Sequence, residues 1–271
     1  MIEDFVKAVL AEDVGRGDLY ALVETPVQAS AKIVAKSDGV VAGRIYIDAL
    51  AKLESFEIEW LKDDADEFTK GDIIAKIQGS SHTLLRCERT LLNMLLHASS
   101  IATLTARYVK LIKPYGTKLL DTRKTRPMLR NFEKYATRTG GAVNHRMGLD
   151  DCLMLKDTHL KTIADLNGYI KSAREKIPFT CKIEVEAETV EMAKSAMKAG
   201  ADIVMCDNMT TQEIKEVVEY KKEYYPSILL EASGNISLET IEDVARTGID
   251  AISSGSLIHQ ANWIDISMKV E

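Results

Sequence analysis

The chain has 271 residues, 46 % hydrophobic and 28 % charged, with a formal net charge of −6. That length suits one large or two modest domains with a sizeable core, and the acidic balance argues against a nucleic-acid partner. No apolar run approaches a membrane span, and the acidic start Met1-Ile2-Glu3-Asp4 is unlike a signal peptide.

Residues 2–12 place apolar side chains at 2, 5, 6, 9 and 10, the spacing of an amphipathic helix. After a glycine-bearing turn at Asp13–Asp18, strand-like pieces follow at 31–37, 39–43, 56–61 and 72–79, separated by Asp38-Gly39, Asp63-Asp64 and Lys70-Gly71-Asp72. A helix is predicted over 44–54, so this region reads as a small α+β unit with an antiparallel sheet. Thr83 to Ile112 reads as one long helix whose apolar face (Leu84, Leu91, Leu92, Leu95) is interrupted by His97-Ala98-Ser99-Ser100. By spacing alone Arg89 is a solvated helix charge and His97 a helix-packing residue.

From Lys118 the texture changes to short apolar runs alternating with helical segments at 126–138, 162–176, 189–199, 210–224 and 237–247. The runs are KLL, CLML, FTCKIEV, DIVMC, SILLEA and DAISS, with a weaker AVN before His145. Six or seven parallel strands joined by helices imply a (β/α) barrel or a doubly wound sheet. The strand ends favour the barrel, because nearly every run closes on residues suited to a site: Asp121-Thr122-Arg123-Lys124, Lys156, Glu186, Asp207, Ser233-Gly234 and Ser254-Gly255-Ser256. Four cysteines (Cys87, Cys152, Cys181, Cys206) are far apart without a CxxC pair and read as buried, reduced thiols of a cytoplasmic protein.

The charges are unevenly spread. Between Asp121 and Lys156 eight Lys/Arg face four acids, so that stretch is +4 in a chain of −6. Such local basicity points to a small polyanionic ligand. Arg123, Lys124, Arg146 and Lys156 can take carboxylates or phosphates, arginine as a planar fork and lysine as a point charge; His145 beside Arg146 is a further ligand-binding candidate. Lys156 after four apolar residues also allows a second reading, a Schiff-base nucleophile in an aldolase-like barrel. Glu186 and Asp207 can hold Mg²⁺ near sugar and phosphate oxygens. Glu184, two residues earlier on the same strand face, is not separable from Glu186 by spacing. Ser233-Gly234-Asn235 and Ser254-Gly255-Ser256 are small-residue turns of the kind that cradle phosphate.

The motifs EDVGRGD (12–18), ERTLLN (88–93), DTRKTRPMLR (121–130), NHRMGLDD (144–151), LKDTHL (155–160), IEVE (183–186), DIVMCDN (202–208) and LEASGNIS (230–237) together resemble the quinolinate phosphoribosyltransferases. The resemblance spans essentially the whole chain. It implies an N-terminal α+β sandwich domain (1–110, with 260–271 returning to it) and an irregular seven-stranded (β/α) barrel (111–259). It further implies a cytoplasmic enzyme of NAD biosynthesis that joins quinolinate to phosphoribosyl diphosphate with Mg²⁺ and loss of CO₂. Homodimers with shared sites, extending to a dimer-based hexamer, are also implied. By position, Arg89 would reach the partner's site, Arg123, His145, Arg146 and Lys156 would bind quinolinate, and Thr122 is a further substrate-binding residue. Lys124, Glu186 and Asp207 would face phosphoribosyl diphosphate and Mg²⁺, with the two serine turns on the 5′-phosphate. A related phosphoribosyltransferase-like protein of molybdenum uptake shares some of these motifs and is the nearest alternative.

Overall fold

The structure, a computed structural model, describes residues 2–271 and leaves Met1, the start of the acidic N-terminal stretch, outside the described residues. The chain divides into two compact units: residues 1–106, 135–141 and 261–271 form the first, and 107–134 with 142–260 the second.

The first unit opens with α1 (Ile2–Val14), followed by β1 (Gln28–Ala35), β2 (Gly39–Val40), α2 (Arg44–Glu54), β3 (Glu57–Trp60), β4 (Glu67–Phe68), β5 (Ile73–Ser80) and α3 (Ser81–Ile112). The strands β1, β3 and β5 pair antiparallel, as expected from alternating apolar residues broken by turn residues. In β1, Ala31, Ile33 and Ala35 are buried on one face. Gly43 caps α2 at φ 127°, a conformation that favours glycine, and the helix buries Tyr46, Ile47, Leu50 and Ala51.

The helix α3 does not break at His97–Ser100. Ser99 and Ser100 are buried, and their hydroxyls bond Ala42 O at 3.1 Å and Leu96 O at 2.6 Å, so polar side chains there serve packing rather than termination. Gly140 allows another close approach, since a Cβ there would sit 2.5 Å from Ala102 O.

The second unit carries β6 (Lys118–Leu120), α4 (Arg130–Thr139, ending in the first unit), β7 (Cys152–Leu155), α5 (Asp157–Leu160), α6 (Leu166–Arg174), β8 (Lys182–Ala187) and α7 (Val190–Lys198). It continues with β9 (Ile203–Asp207), α8 (Thr211–Tyr224), β10 (Leu229–Ser233), α9 (Ile241–Ala245), β11 (Ala251–Ser253) and α10 (Ser256–His259). The final strand, β12 (Ile266–Val270), pairs antiparallel with β1 in the first unit.

Helices come out shorter than their periodicity predicts where side chains compete for the backbone. Pro127 and the left-handed Met128 (φ 65°) delay α4 to Arg130. Ser237 N donates to Thr240 Oγ1 and Glu239 N to Ser237 Oγ, confining α9 to 241–245.

The sheet of the second unit is parallel, in the order β6-β11-β10-β9-β8-β7. Six strands form ladders among the described residues, where seven were expected. The AVN run supplies only one parallel bridge, Val143 to Leu120. Each strand neighbours the next in the chain, as around a barrel, except between Val143 and β7, where no ladder forms among the described residues. The chain turns away after Val143 because the backbone N–H of His145 goes to a side chain: Asp121 accepts His145 N at 2.8 Å and also the Asn144 side-chain Nδ2 at 2.6 Å. Asp121 is fully buried and also pairs with buried Lys134. It therefore braces the scaffold instead of facing a ligand, contrary to its place in the strand-end pattern.

No helix among the described residues is long and apolar enough to cross a membrane. The four cysteines are unbridged; Cys87 and Cys206 are buried, but Cys152 and Cys181 are half-exposed because they lie at strand starts.

Candidate active site

A cavity of about 570 Å³ lies at the C-terminal ends of the parallel strands, where a β/α architecture places side chains from successive strands around one space. Thr122, Arg123 and Lys124 enter it after β6, His145 and Arg146 after the Val143 bridge, and Lys156 after β7. Glu186 comes from β8, Asp207 from β9, and Ser233, Gly234 and Asn235 from the end of β10.

Of the eight cations between Asp121 and Lys156, four line the cavity: Arg123, Lys124, Arg146 and Lys156. Three others are committed elsewhere. Lys134 pairs with Asp121, Arg126 with Glu133 at 2.7 Å, and Arg130 donates to Met147 O at 3.0 Å. Burial works against the charge of Arg123 and lowers its pKa, and the nearby cations Arg146 and Arg130 add to this. Crowded like charges of this kind are relieved by an anionic ligand. Arg146 spans the open seam of the sheet: its guanidinium donates to Cys152 O at 3.0 Å and Met154 Sδ at 3.4 Å, both on β7. Two of its five N–H groups are thereby used, and its orientation is set.

Lys156 Nζ lies 2.8 Å from Glu186 Oε2. The contact with Glu186 ties up the nitrogen that a Schiff base would need free, so the pair counts against the aldolase reading. Beyond Glu186 stands Asp207. Burial raises the Asp207 pKa and the Glu186 charge adds to it, against opposing help from Asn208, Lys156 and Lys124. Two carboxylates whose repulsion is incompletely offset suit a hard cation with oxygen ligands.

The two serine turns differ. Ser233-Gly234-Asn235 lines the cavity, with Gly234 and Asn235 in left-handed backbone at φ 92° and 51°. Gly234 is required there, because a Cβ would lie 2.9 Å from Asn208 N. Ser254 and Ser256 are buried behind the wall, their hydroxyls 2.5 Å apart and Ser256 Oγ 3.1 Å from Tyr108 Oη. They do not line the cavity, where Ser253 does. Gly255 lets the Lys124 stem pass, since an added Cβ would be 2.9 Å from Lys124 Cδ. Arg89 is exposed on α3 in the first unit and is absent from the lining.

Glu186 and Glu184 both point inward, and they have different tasks. Glu186 lines the cavity; Glu184 is fully buried, with Oε2 3.3 Å from His145 Nε2. Glu231 on β10 approaches the same nitrogen at 3.2 Å. Sequence reasoning passed over Glu231, although it lies one strand period before Ser233 and so on the same face. It also missed Asn208, Met154 and Met205 in the lining.

Burial opposes a charge on His145, but the two carboxylates outweigh it and push the imidazole up to about 10. The donor atoms of His145, Glu184 and Glu231 lie within 4.8 Å of one another, close enough for a cation. A proton competes with one for Nε2. Held charged, the ring carries a proton on each nitrogen, and the Nε2 proton is shared between the two carboxylates.

The chain is similar to known proteins along nearly its whole length. Residues 18–99 match the family described as quinolinate phosphoribosyl transferase, N-terminal domain, and residues 101–269 match its C-terminal domain. The chain is 37 % identical over 273 residues to the probable nicotinate-nucleotide pyrophosphorylase (carboxylating) of Synechocystis sp., covering 100 % of this chain and 92 % of the relative. It is 39 % identical over 262 residues to the protein of the same name from Bacillus subtilis, covering 96 % and 90 %. The crystal structure of NadC from Streptococcus pyogenes superposes with a TM-score of 0.93 at 39 % identity, covering 100 % of this chain and 96 % of that one.

Proposed function

Because the chain belongs to the quinolinate phosphoribosyl transferase family, we propose that it transfers phosphoribosyl from phosphoribosyl diphosphate to quinolinate with loss of CO₂. The product is nicotinate mononucleotide, and the place of the enzyme is NAD biosynthesis in the cytoplasm. The observation that carries this reading is the convergence of four cations and an adjacent acid pair on one cavity, since both substrates are polyanions and one of them is a sugar phosphate.

In the reaction the pyridine nitrogen lone pair forms a bond to ribose C1 as the C1–O bond to pyrophosphate breaks, pyrophosphate keeping that electron pair. The bond from ring C2 to its carboxylate then breaks, CO₂ leaves, and a proton from solvent takes its place. Arg123, His145, Arg146 and Lys156 bind the dicarboxylate and offset negative charge developing at C2, an electrostatic role without a covalent intermediate. Lys124 and the Ser233–Asn235 turn serve the phosphates, with Gly255 making room for the Lys124 stem. Glu186 and Asp207 would hold Mg²⁺, which offsets the charge of the departing pyrophosphate. The active form is a homodimer, able to build a hexamer, in which Arg89 completes the partner's site; the exposure of Arg89 on α3 supports this. The relatives named as pyrophosphorylases favour this chemistry over the molybdenum-uptake alternative.

The deciding assay is formation of nicotinate mononucleotide and CO₂ from quinolinate, phosphoribosyl diphosphate and Mg²⁺; no product under saturating substrates refutes the proposal. Two expectations refine it. Nicotinate is a poor substrate, because a monocarboxylate leaves part of the crowded positive charge of the cavity unpaired; turnover of nicotinate comparable with quinolinate would show that the cations do not select. Asp207→Asn impairs turnover but leaves quinolinate binding nearly intact by calorimetry. An affinity loss equal to that of Arg146→Ala would put Asp207 in the wrong subsite.

A further inference from the structure

The segment that carries His145 and Arg146 has no strand to hold it. Val143 makes a single bridge, and the next three residues run beside the open seam of the sheet. Buried acids stand where a ladder would be. Asp121 holds the backbone of His145. The ring is held from the other side, by Glu184 on β8 and Glu231 on β10, which are 0 % and 2 % exposed.

This arrangement is costly. Each glutamate spends one oxygen on the same Nε2, and Oε1 of each is buried with no hydrogen-bond partner. Apolar residues of similar size would fill the space at lower cost, as Ile183 and Val185 do beside Glu184. Fold stability therefore does not account for the pair, whose charge the proton shared on Nε2 already offsets.

Orientation does account for it. One acceptor on an imidazole N–H leaves the ring free to swing about its outer torsion. Two acceptors from strands on opposite sides of β9 fix the ring position. We propose that Glu184 and Glu231 are positioning residues that clamp His145 through Nε2 and so set the ring, and the Arg146 that follows it, for the dicarboxylate. The proposal rests on the reading that this cavity binds quinolinate.

The test compares removal with conservative replacement. Glu184→Leu and Glu231→Leu remove an acceptor, and each is expected to raise KM for quinolinate by ~10- to 100-fold, the scale of a misplaced binding group, with KM for phosphoribosyl diphosphate unchanged. Glu184→Gln and Glu231→Gln keep an acceptor oxygen and restore most of that loss. Equal rises in both KM values, or no rescue by glutamine, would mean a merely structural role. A second readout does not depend on turnover. Long-range ¹H–¹⁵N spectra should show a slowly exchanging, downfield Nε2–H for His145, identified by its absence in His145→Gln. It should be lost in the leucine variants and moved upfield by the weaker amide acceptor in the glutamine variants. Should the leucine variants not fold, the glutamine spectra decide: a resonance that stays in place overturns the clamp. If the wild-type enzyme does not turn over quinolinate while the resonance behaves as expected, the proposed substrate fails and the clamp stands.

Discussion

Arg146→Ala is expected to lower kcat/KM for quinolinate by ~30- to 5,000-fold. The range follows from the ~2–5 kcal/mol cost of truncating one partner of a buried, hydrogen-bonded charge pair, at about 1.4 kcal/mol per tenfold. The effect falls at the upper end if the guanidinium is as fixed as its bonds to Cys152 O and Met154 Sδ imply, because a fixed fork loses little entropy on binding a carboxylate. Arg146→Lys should not restore activity, since a point charge cannot span the seam and still present two parallel donors. The measurement is steady-state kinetics at saturating phosphoribosyl diphosphate with quinolinate varied. A change of less than about threefold would take Arg146 out of the substrate site.

The second large effect concerns subunit sharing. If each site combines Arg89 of one chain with Lys156 of the other, Arg89→Ala and Lys156→Ala homodimers are both nearly inactive. In a mixed dimer one site carries both lesions and the other neither. Random pairing of equal amounts makes about half the dimers mixed, so co-refolding should recover up to roughly a quarter of wild-type activity. Recovery must appear only after subunit exchange. Verified exchange without recovery would mean that Arg89 serves its own chain's site or none.

The same two residues show how unevenly a site is written into a chain. Lys156 was legible as a cation at the end of an apolar strand, and the structure puts it in the cavity. Arg89, on an amphipathic helix, looks like any solvated helix charge, and only the family resemblance singled it out. Ser254 and Ser256 had the pattern of a phosphate cradle, yet their hydroxyls bond each other behind the wall.

What the sequence determined by itself was local. Period-two and helical spacing placed most strands and helices to within a few residues, since burying one face is a requirement on neighbours along the chain. The alternation of apolar runs with helices implied a parallel β/α unit, and polar residues at run ends located the side of the sheet that carries the site. Tertiary structure alone decided which charges meet. Lys134 and Lys156 belong to the same basic stretch, but one is sealed against Asp121 and the other opens on the cavity. Glu184 and Glu186 share a strand face, and depth divides them: one is buried on His145 and the other is paired with Lys156. The reduction of the seventh strand to Val143 likewise depends on Asp121 taking the backbone of His145 across 24 residues. Ionic partners and low-dielectric burial are properties of assembled surfaces, so residue type and spacing cannot specify them before the strands are side by side.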